Sequence, residues 1–193
     1  MNEIKDEALM TMFCSGKTEA FQVLFEKYRN RIFRFIYGAY ERSPSQAEDY
    51  TQEVFLRVIK NRESFNPSMR FSTWLYTIAR NYCLNQLRAK TANFETLVDP
   101  MERLMYTDAQ SDVSEKIIDK ELGVLIRQSV AALPENLRVI FILREIDGLP
   151  HAGIAEIMNT TECNVRTRLH RAKKQLQAIL LPYLEDKNEK HRR

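Results

Sequence analysis

The chain has 193 residues, enough for one large or two small domains with a working core. Hydrophobic residues make up 44% and charged residues 28%, as in soluble globular proteins, and 5 glycines with 6 prolines are too few for a many-stranded sandwich or barrel. The N-terminus is charged and lacks a signal-peptide core, and no apolar run reaches membrane-spanning length, so a cytoplasmic, soluble protein without membrane insertion is expected.

The first helical signal runs from about Thr18 to Tyr40, where Phe21, Leu24, Phe25, Tyr28, Ile32, Phe35 and Ile36 keep the spacing of one apolar stripe. Ser43-Pro44 interrupts it. A second helix, about Ser45 to Lys60, carries Val54, Phe55, Val58 and Ile59, with Ser45 as its expected N-cap and Glu48 completing a capping box. Asn66-Pro67 forces a loop, because the residue before proline is pushed out of helical geometry. A third helix, about Ser72 to Ala89, turns Leu75, Ile78, Ala79 and Tyr82 inward. Periodicity then fails between about Thr91 and Ser114, which reads as an interdomain linker; its Phe94, Leu97, Leu104, Met105 and Tyr106 are too many apolar residues for an inert tether.

The pattern resumes with Ile118, Leu122, Leu125, Ile126 and Val130 and stops at Leu133-Pro134. Pro134 suits the first turn of a helix holding Leu137, Ile140, Phe141 and Ile142, which Asp147-Gly148 closes. Two further helices are predicted, about Pro150 to Met158 and Thr161 to Leu180, before a charged tail. The predicted fold is therefore all-α: two small helical domains joined by a linker, the second a helix-turn-helix.

That second domain carries the most specific pattern. Ile154, Ala155, Ile157 and Met158 form a packing face, Asn159-Thr160 makes the turn, and Thr161 can cap the next helix. With Val165, Leu169 and Ala172 inward, Arg166, Thr167, His170, Arg171 and Lys174 share the opposite side. Between Val165 and Lys174 there is no carboxylate. Such a helix can enter the major groove, an arginine reading guanine while neighbouring cations bind phosphate. A solvated basic face is the bland alternative.

A second constellation is aromatic. Phe65, Phe71, Trp74, Tyr76 and Tyr82 crowd around the Asn66–Ser72 loop with Arg70, Arg80 and Arg88 interleaved, the combination that single-stranded nucleic acid uses for stacking and charge. Core packing is the competing reading. A third is acidic: Glu48, Asp49, Gln52 and Glu53 share one helix face and suit a basic partner helix, or are simply solvated. No nucleophile or phosphate loop accompanies them, so no catalytic residue and no enzyme is expected. His151, His170 and His191 lack metal-ligand spacing, no cofactor is implied, and the far-spaced Cys14, Cys83 and Cys163 read as reduced thiols.

Four segments resemble the extracytoplasmic-function (ECF) sigma factors of bacterial RNA polymerase: Ala20-Phe-Gln-Val-Leu-Phe-Glu-Lys-Tyr, Ala47-Glu-Asp-Tyr-Thr-Gln-Glu-Val-Phe-Leu-Arg-Val, Phe71-Ser-Thr-Trp-Leu-Tyr-Thr-Ile-Ala-Arg-Asn and Leu133-Pro-Glu-Asn-Leu-Arg-Val-Ile-Phe. The closing Arg168-Leu-His-Arg-Ala-Lys fits as well, and the likeness spans about Lys17 to Leu176. It implies a region 2 over residues 1–90, a linker over 91–114, a region 4 over 115–181 and a tail over 182–193. Region 2 would meet the clamp helices of core RNA polymerase through Glu48, Asp49, Gln52, Glu53 and Phe55. It would melt and hold the minus-ten element with Phe65, Arg70, Phe71, Trp74, Arg80, Asn81 and Arg88. Region 4 would meet the polymerase flap and read the minus-thirty-five element of promoter DNA with Asn164, Arg166, Thr167, His170, Arg171 and Lys174. An anti-sigma factor is a further implied partner. Gly153 stands where the family has glutamate, Asn159 where it has a turn glycine, and Cys163-Asn164 where it commonly has Gly-Thr. A conventional helix-turn-helix regulator or a helical adaptor are the rival readings; neither accounts for all three surfaces.

Overall fold

The computed structural model describes residues 4–41, 43–93 and 116–190, and among these the regular structure is helical. The N-terminal unit comprises α1 (Asp6–Cys14), α2 (Thr18–Ala39), α3 (Pro44–Lys60), a short 3-10 turn (Arg62–Ser64) and α4 (Phe71–Asn93). The C-terminal unit comprises α5 (Lys116–Ala132), α6 (Glu135–Phe141), a π-helical turn (Ile142–Ile146), α7 (His151–Met158) and α8 (Glu162–Lys190). Most of the expected linker lies outside the described residues, though α4 takes in its first positions as far as Asn93.

The apolar stripes account for the packing. Leu24, Tyr28, Ile32, Phe35 and Ile36 of α2 are buried against Val54 and Val58 of α3 and Leu75, Tyr76 and Ala79 of α4. In the second unit Leu137 and Ile140 of α6, Ile154 and Ile157 of α7, and Val165, Leu169, Ala172 and Leu176 of α8 close a smaller core.

Local chemistry fixed several boundaries differently from expectation. Ser43, not Ser45, caps α3: its hydroxyl accepts from the Gln46 N–H at 3.4 Å, and Pro44 takes the first helical position, where its missing N–H costs nothing. Pro134 likewise sits one residue outside α6. The segment expected as a tail continues α8 through Pro182 to Lys190. Helix α1 had no counterpart in the sequence reading. It packs Leu9, Met10 and Phe13 inward and is tied to α2 by Asp6, which accepts from Lys27 at 2.8 Å and from the Tyr28 hydroxyl at 2.6 Å.

The two units pack on each other. Helix α7 lies along α4, and α5, α6 and the π-helical turn lie against α2. Arg138 pins this seam: its Nε donates to the Ala39 carbonyl at 3.0 Å while Nη1 donates to Ala131 at 2.7 Å. One guanidinium thus serves the C-terminal carbonyls of two helices, where a cation is favoured by the helix dipoles.

Candidate nucleic-acid interface

The turn of the helix-turn-helix follows from its residues. Asn159 adopts the left-handed conformation (φ 49°, ψ 57°), which its short side chain tolerates, and the N–H groups of Asn159 and Thr160 donate to Glu156 and Ala155 to finish α7. Thr161 then caps α8, its hydroxyl accepting from the Asn164 N–H at 3.3 Å, as the sequence predicted. Asn164 Nδ2 also donates to the Thr160 hydroxyl at 3.2 Å.

With Val165, Leu169 and Ala172 buried, α8 presents Asn164, Arg166, Thr167, His170, Arg171 and Lys174 to solvent together. Arg166 Nη2 lies 3.2 Å from Glu162 one turn earlier, an exposed pair that holds the guanidinium only weakly and leaves it available to a stronger acceptor. Lys173 points elsewhere, to Glu145 at 3.0 Å.

The aromatic loop divides in two. Phe71 is 0% exposed and Phe65 only 7%, so neither presents a face to a base; both belong to the core. Phe65 meets Phe71 and Trp74 edge-on at 6.1 and 5.2 Å between ring centres, Phe71 and Trp74 lie tilted at 6.2 Å, and Tyr28 stands behind Phe71. Aromatic clusters of this kind stabilise by area and edge-to-face geometry together. The reason Phe71 is held inside reaches far along the chain: its N–H donates to Glu7 Oε1 at 3.0 Å, so α1 caps the start of α4. Arg70, Asn81 and Arg88 are exposed, whereas Trp74 and Arg80 are half-buried. Tyr82 packs edge-on to Tyr50 and carries the Arg57 guanidinium 4.8 Å above its ring.

On α3 the structure keeps Glu48, Asp49 and Gln52 exposed and Glu53 half-exposed, but removes Phe55 from the surface. Phe55 is 3% exposed, packed against Phe25 at 4.8 Å, and acts as a strut beneath the acidic face. Glu48 pairs with Arg29 at 3.0 Å and Glu53 with Arg57 at 3.2 Å. Leu56, overlooked in the sequence, is 48% exposed. It lies four residues after Gln52, so the face combines carboxylates with an unburied aliphatic side chain.

Cys14 and Cys163 are exposed free thiols, while burial pushes the Cys83 thiol up to about 12 and leaves it inert. No helix among the described residues is long and apolar enough to cross a membrane.

Comparison with known proteins agrees with this layout. The sigma-70 region 2 family matches residues 24–93, and the sigma-70 region 4 family matches residues 123–176. The ECF RNA polymerase sigma factor SigW of Bacillus subtilis is 32% identical over 171 residues, covering 86% of this chain and 91% of that protein. The ECF RNA polymerase sigma-E factor of Haemophilus influenzae is 29% identical over 188 residues, covering 94% and 98%. In fold, the chain resembles the sigma factor RpoE of Bartonella quintana, solved with the anti-sigma factor NepR (TM-score 0.67, 19% identity, 83% of this chain and 96% of that one). It also resembles CnrH, solved with the cytosolic domain of CnrY (TM-score 0.68, 18% identity, 91% and 96%). With both regions in order and near-full-length relatives, the chain belongs to the ECF RNA polymerase sigma factors.

Proposed function

We propose that this sigma factor divides its work between three surfaces, acting in the cytoplasm as a non-catalytic subunit that confers promoter choice on core RNA polymerase. Region 2, through residue 90, docks on the polymerase clamp helices with Glu48, Asp49, Gln52 and Glu53. Leu56 adds an apolar anchor there, and Phe55 supports the face from below. The edge of α4, with Trp74, Arg80, Asn81, Arg88 and the neighbouring Arg70, holds the separated minus-ten strand. Phe65 and Phe71 fix the position of Trp74 rather than touching bases. Region 4, over residues 115–181, meets the polymerase flap and reads the minus-thirty-five element with Asn164, Arg166, Thr167, His170, Arg171 and Lys174. An anti-sigma factor is its expected partner, as for the sigma factor RpoE solved with the anti-sigma factor NepR.

The observation that carries the division is the sorting of charge. Exposed carboxylates gather on α3 and exposed cations on α8, on different units, as expected for docking to a protein at one site and to DNA at another. Run-off transcription tests it: purified chain added to core enzyme should yield transcripts from selected promoter fragments, with little duplex binding by the chain alone. Tight, sequence-specific duplex binding without core, and no transcripts with it, would overturn the proposal in favour of a free-standing regulator.

A further inference from the structure

Helix α1 precedes the residues that match the region 2 family, which begin at 24, yet it touches both ends of the segment that leads into α4. At the near end the Cys14 thiol donates to the Arg62 carbonyl at 3.1 Å, and the Arg62 guanidinium stands 5.7 Å from the centre of the Phe13 ring. At the far end Glu7 Oε1 accepts the Phe71 N–H at 3.0 Å. The helix that makes these contacts is itself anchored. Phe13 is buried and stacked on Phe21 of α2 at 4.7 Å, and Asp6 holds Lys27 and Tyr28.

The far contact supplies what the local sequence lacks. The first amides of a helix have no partner within it, and a side-chain oxygen on the preceding residue ordinarily accepts one of them. The residue before α4 is Arg70, whose guanidinium can only donate. Glu7 fills the gap from 64 residues away, with a carboxylate that the helix dipole favours at this end. Attraction for phosphate does not explain an acid bonded to the backbone beside Arg70, because a carboxylate repels DNA. The Phe71 amide does explain it.

Between the two contacts the loop's own ties are short-range. The Ser68 and Met69 N–H groups donate back to Asn66 at 3.0 Å each, and Asn66, Pro67, Ser68 and Arg70 are exposed. The loop is therefore oriented from its ends. Phe71, fixed by Glu7, in turn packs against Trp74 at 6.2 Å, and Phe65 meets the same indole at 5.2 Å. We infer that α1 is a splint for the minus-ten loop, in which Glu7 is a positioning residue: by capping α4 it fixes the approach of Arg70 and the ring plane of Trp74 to the separated promoter strand. Glu7 acts through the Phe71 amide and not on a base. This inference rests on the proposed role of that edge of α4 in holding the strand.

The test compares Glu7→Ala with Glu7→Gln, whose amide oxygen can still accept the Phe71 N–H without a charge. Holoenzyme reconstituted from core and the full chain is titrated with a fluorescent single strand carrying the non-template minus-ten element of a selected promoter. Glu7→Ala should bind this strand about fivefold more weakly, as loss of one helix cap predicts. Glu7→Gln should stay within about twofold of wild type. Core affinity should be equal in all three proteins. In the free chain the Phe71 amide should exchange its hydrogen about tenfold faster in Glu7→Ala than in wild type. Trp74, the single tryptophan, should show lower fluorescence anisotropy in the same variant. The splint is overturned if Glu7→Ala holds the strand as wild type does, if Glu7→Gln falls with it, or if exchange at Phe71 is unchanged. A parallel loss of core affinity also overturns it, since α1 would then serve the stability of the whole unit. If wild-type holoenzyme does not retain the strand, the role of α4 fails instead, and the two failures read differently.

Discussion

Asp147→Asn addresses the seam through an acid whose carboxylate oxygens are covered. The carboxyl group sits after the π-helical turn, faced by Tyr76 from α4 and by Arg31 and Arg34 from α2. Burial pushes its pKa from 3.8 up to about 6, against the opposing pull of Tyr76 and the two guanidinium groups. The closed form therefore prefers the protonated acid. That preference is complete below the ordinary carboxylate pKa, declines as pH rises toward about 6, and is gone above it, where closure must bury a charge. Roughly two pKa units correspond to ~3 kcal/mol at the limit of full burial. Asp147 as a residue is only half-buried although its carboxylate oxygens are covered, and nearby solvent brings the effect to ~1–2 kcal/mol, or about tenfold in the closing equilibrium.

The chain supplies its own labelling sites for the measurement: Cys14 lies exposed on the N-terminal unit and Cys163 exposed on the C-terminal one, while Cys83 is buried. With dyes on the exposed pair, energy transfer should report progressive opening of the wild-type chain between about pH 4 and pH 6. Asp147→Asn, neutral throughout, should stay more closed at pH 7.5 and converge on wild type below about pH 4. All other titrating groups are common to both proteins and cancel in the difference. Superimposable pH profiles for the two chains would refute the reasoning.

Other substitutions separate packing from recognition. Phe71→Ala should cost about 3–5 kcal/mol of stability in denaturant melts, because it empties a fully buried aromatic site; unchanged stability with a selective minus-ten defect would restore Phe71 as a base contact. Arg166→Ala should weaken holoenzyme binding to upstream-element promoters by about 1–3 kcal/mol and leave core affinity intact. A parallel loss of core binding in pull-downs would argue against separate surfaces. Asp49→Lys should lower core affinity several-fold in the same assay, mainly through slower association, with promoter choice unchanged in whatever holoenzyme forms. Asp49 is preferred to Glu53 for this test because Glu53 also holds Arg57, which covers Tyr82.

The helix-turn-helix was readable because its determinants are local: Thr161 caps the residue three positions on, Asn159 makes the turn by itself, and Val165, Leu169 and Ala172 mark the buried face by spacing alone. The aromatic loop was read less well for the opposite reason. Composition cannot tell a ring awaiting a base from one already packed, and what buries Phe71 includes a hydrogen bond to Glu7, 64 residues away. Helix α1 escaped notice because it is 9 residues long with no side-chain cap at Lys5, so its stability comes from Asp6 and from apolar contacts with α2. Pro44 carried the correction at α3: proline at the first helical position moves the cap to Ser43.

Gly153 was visible from the start as a departure from the family's glutamate, yet its meaning required the second unit. A glutamate at that position would strengthen the helix by propensity and place a carboxylate against Thr73. The same substitution in reverse therefore exchanges helix stability for closeness between units. Were the seam a permanent interface, selection for tight packing should also have paired Tyr40 and His151, since each buried polar atom left without a partner costs about 1–3 kcal/mol. Were the units merely tethered, neither Gly38, where a Cβ would lie 3.1 Å from Cδ1 of Ile142, nor Gly153 would need to be small. Close approach combined with unpaired polar groups describes a contact that must form and must also break.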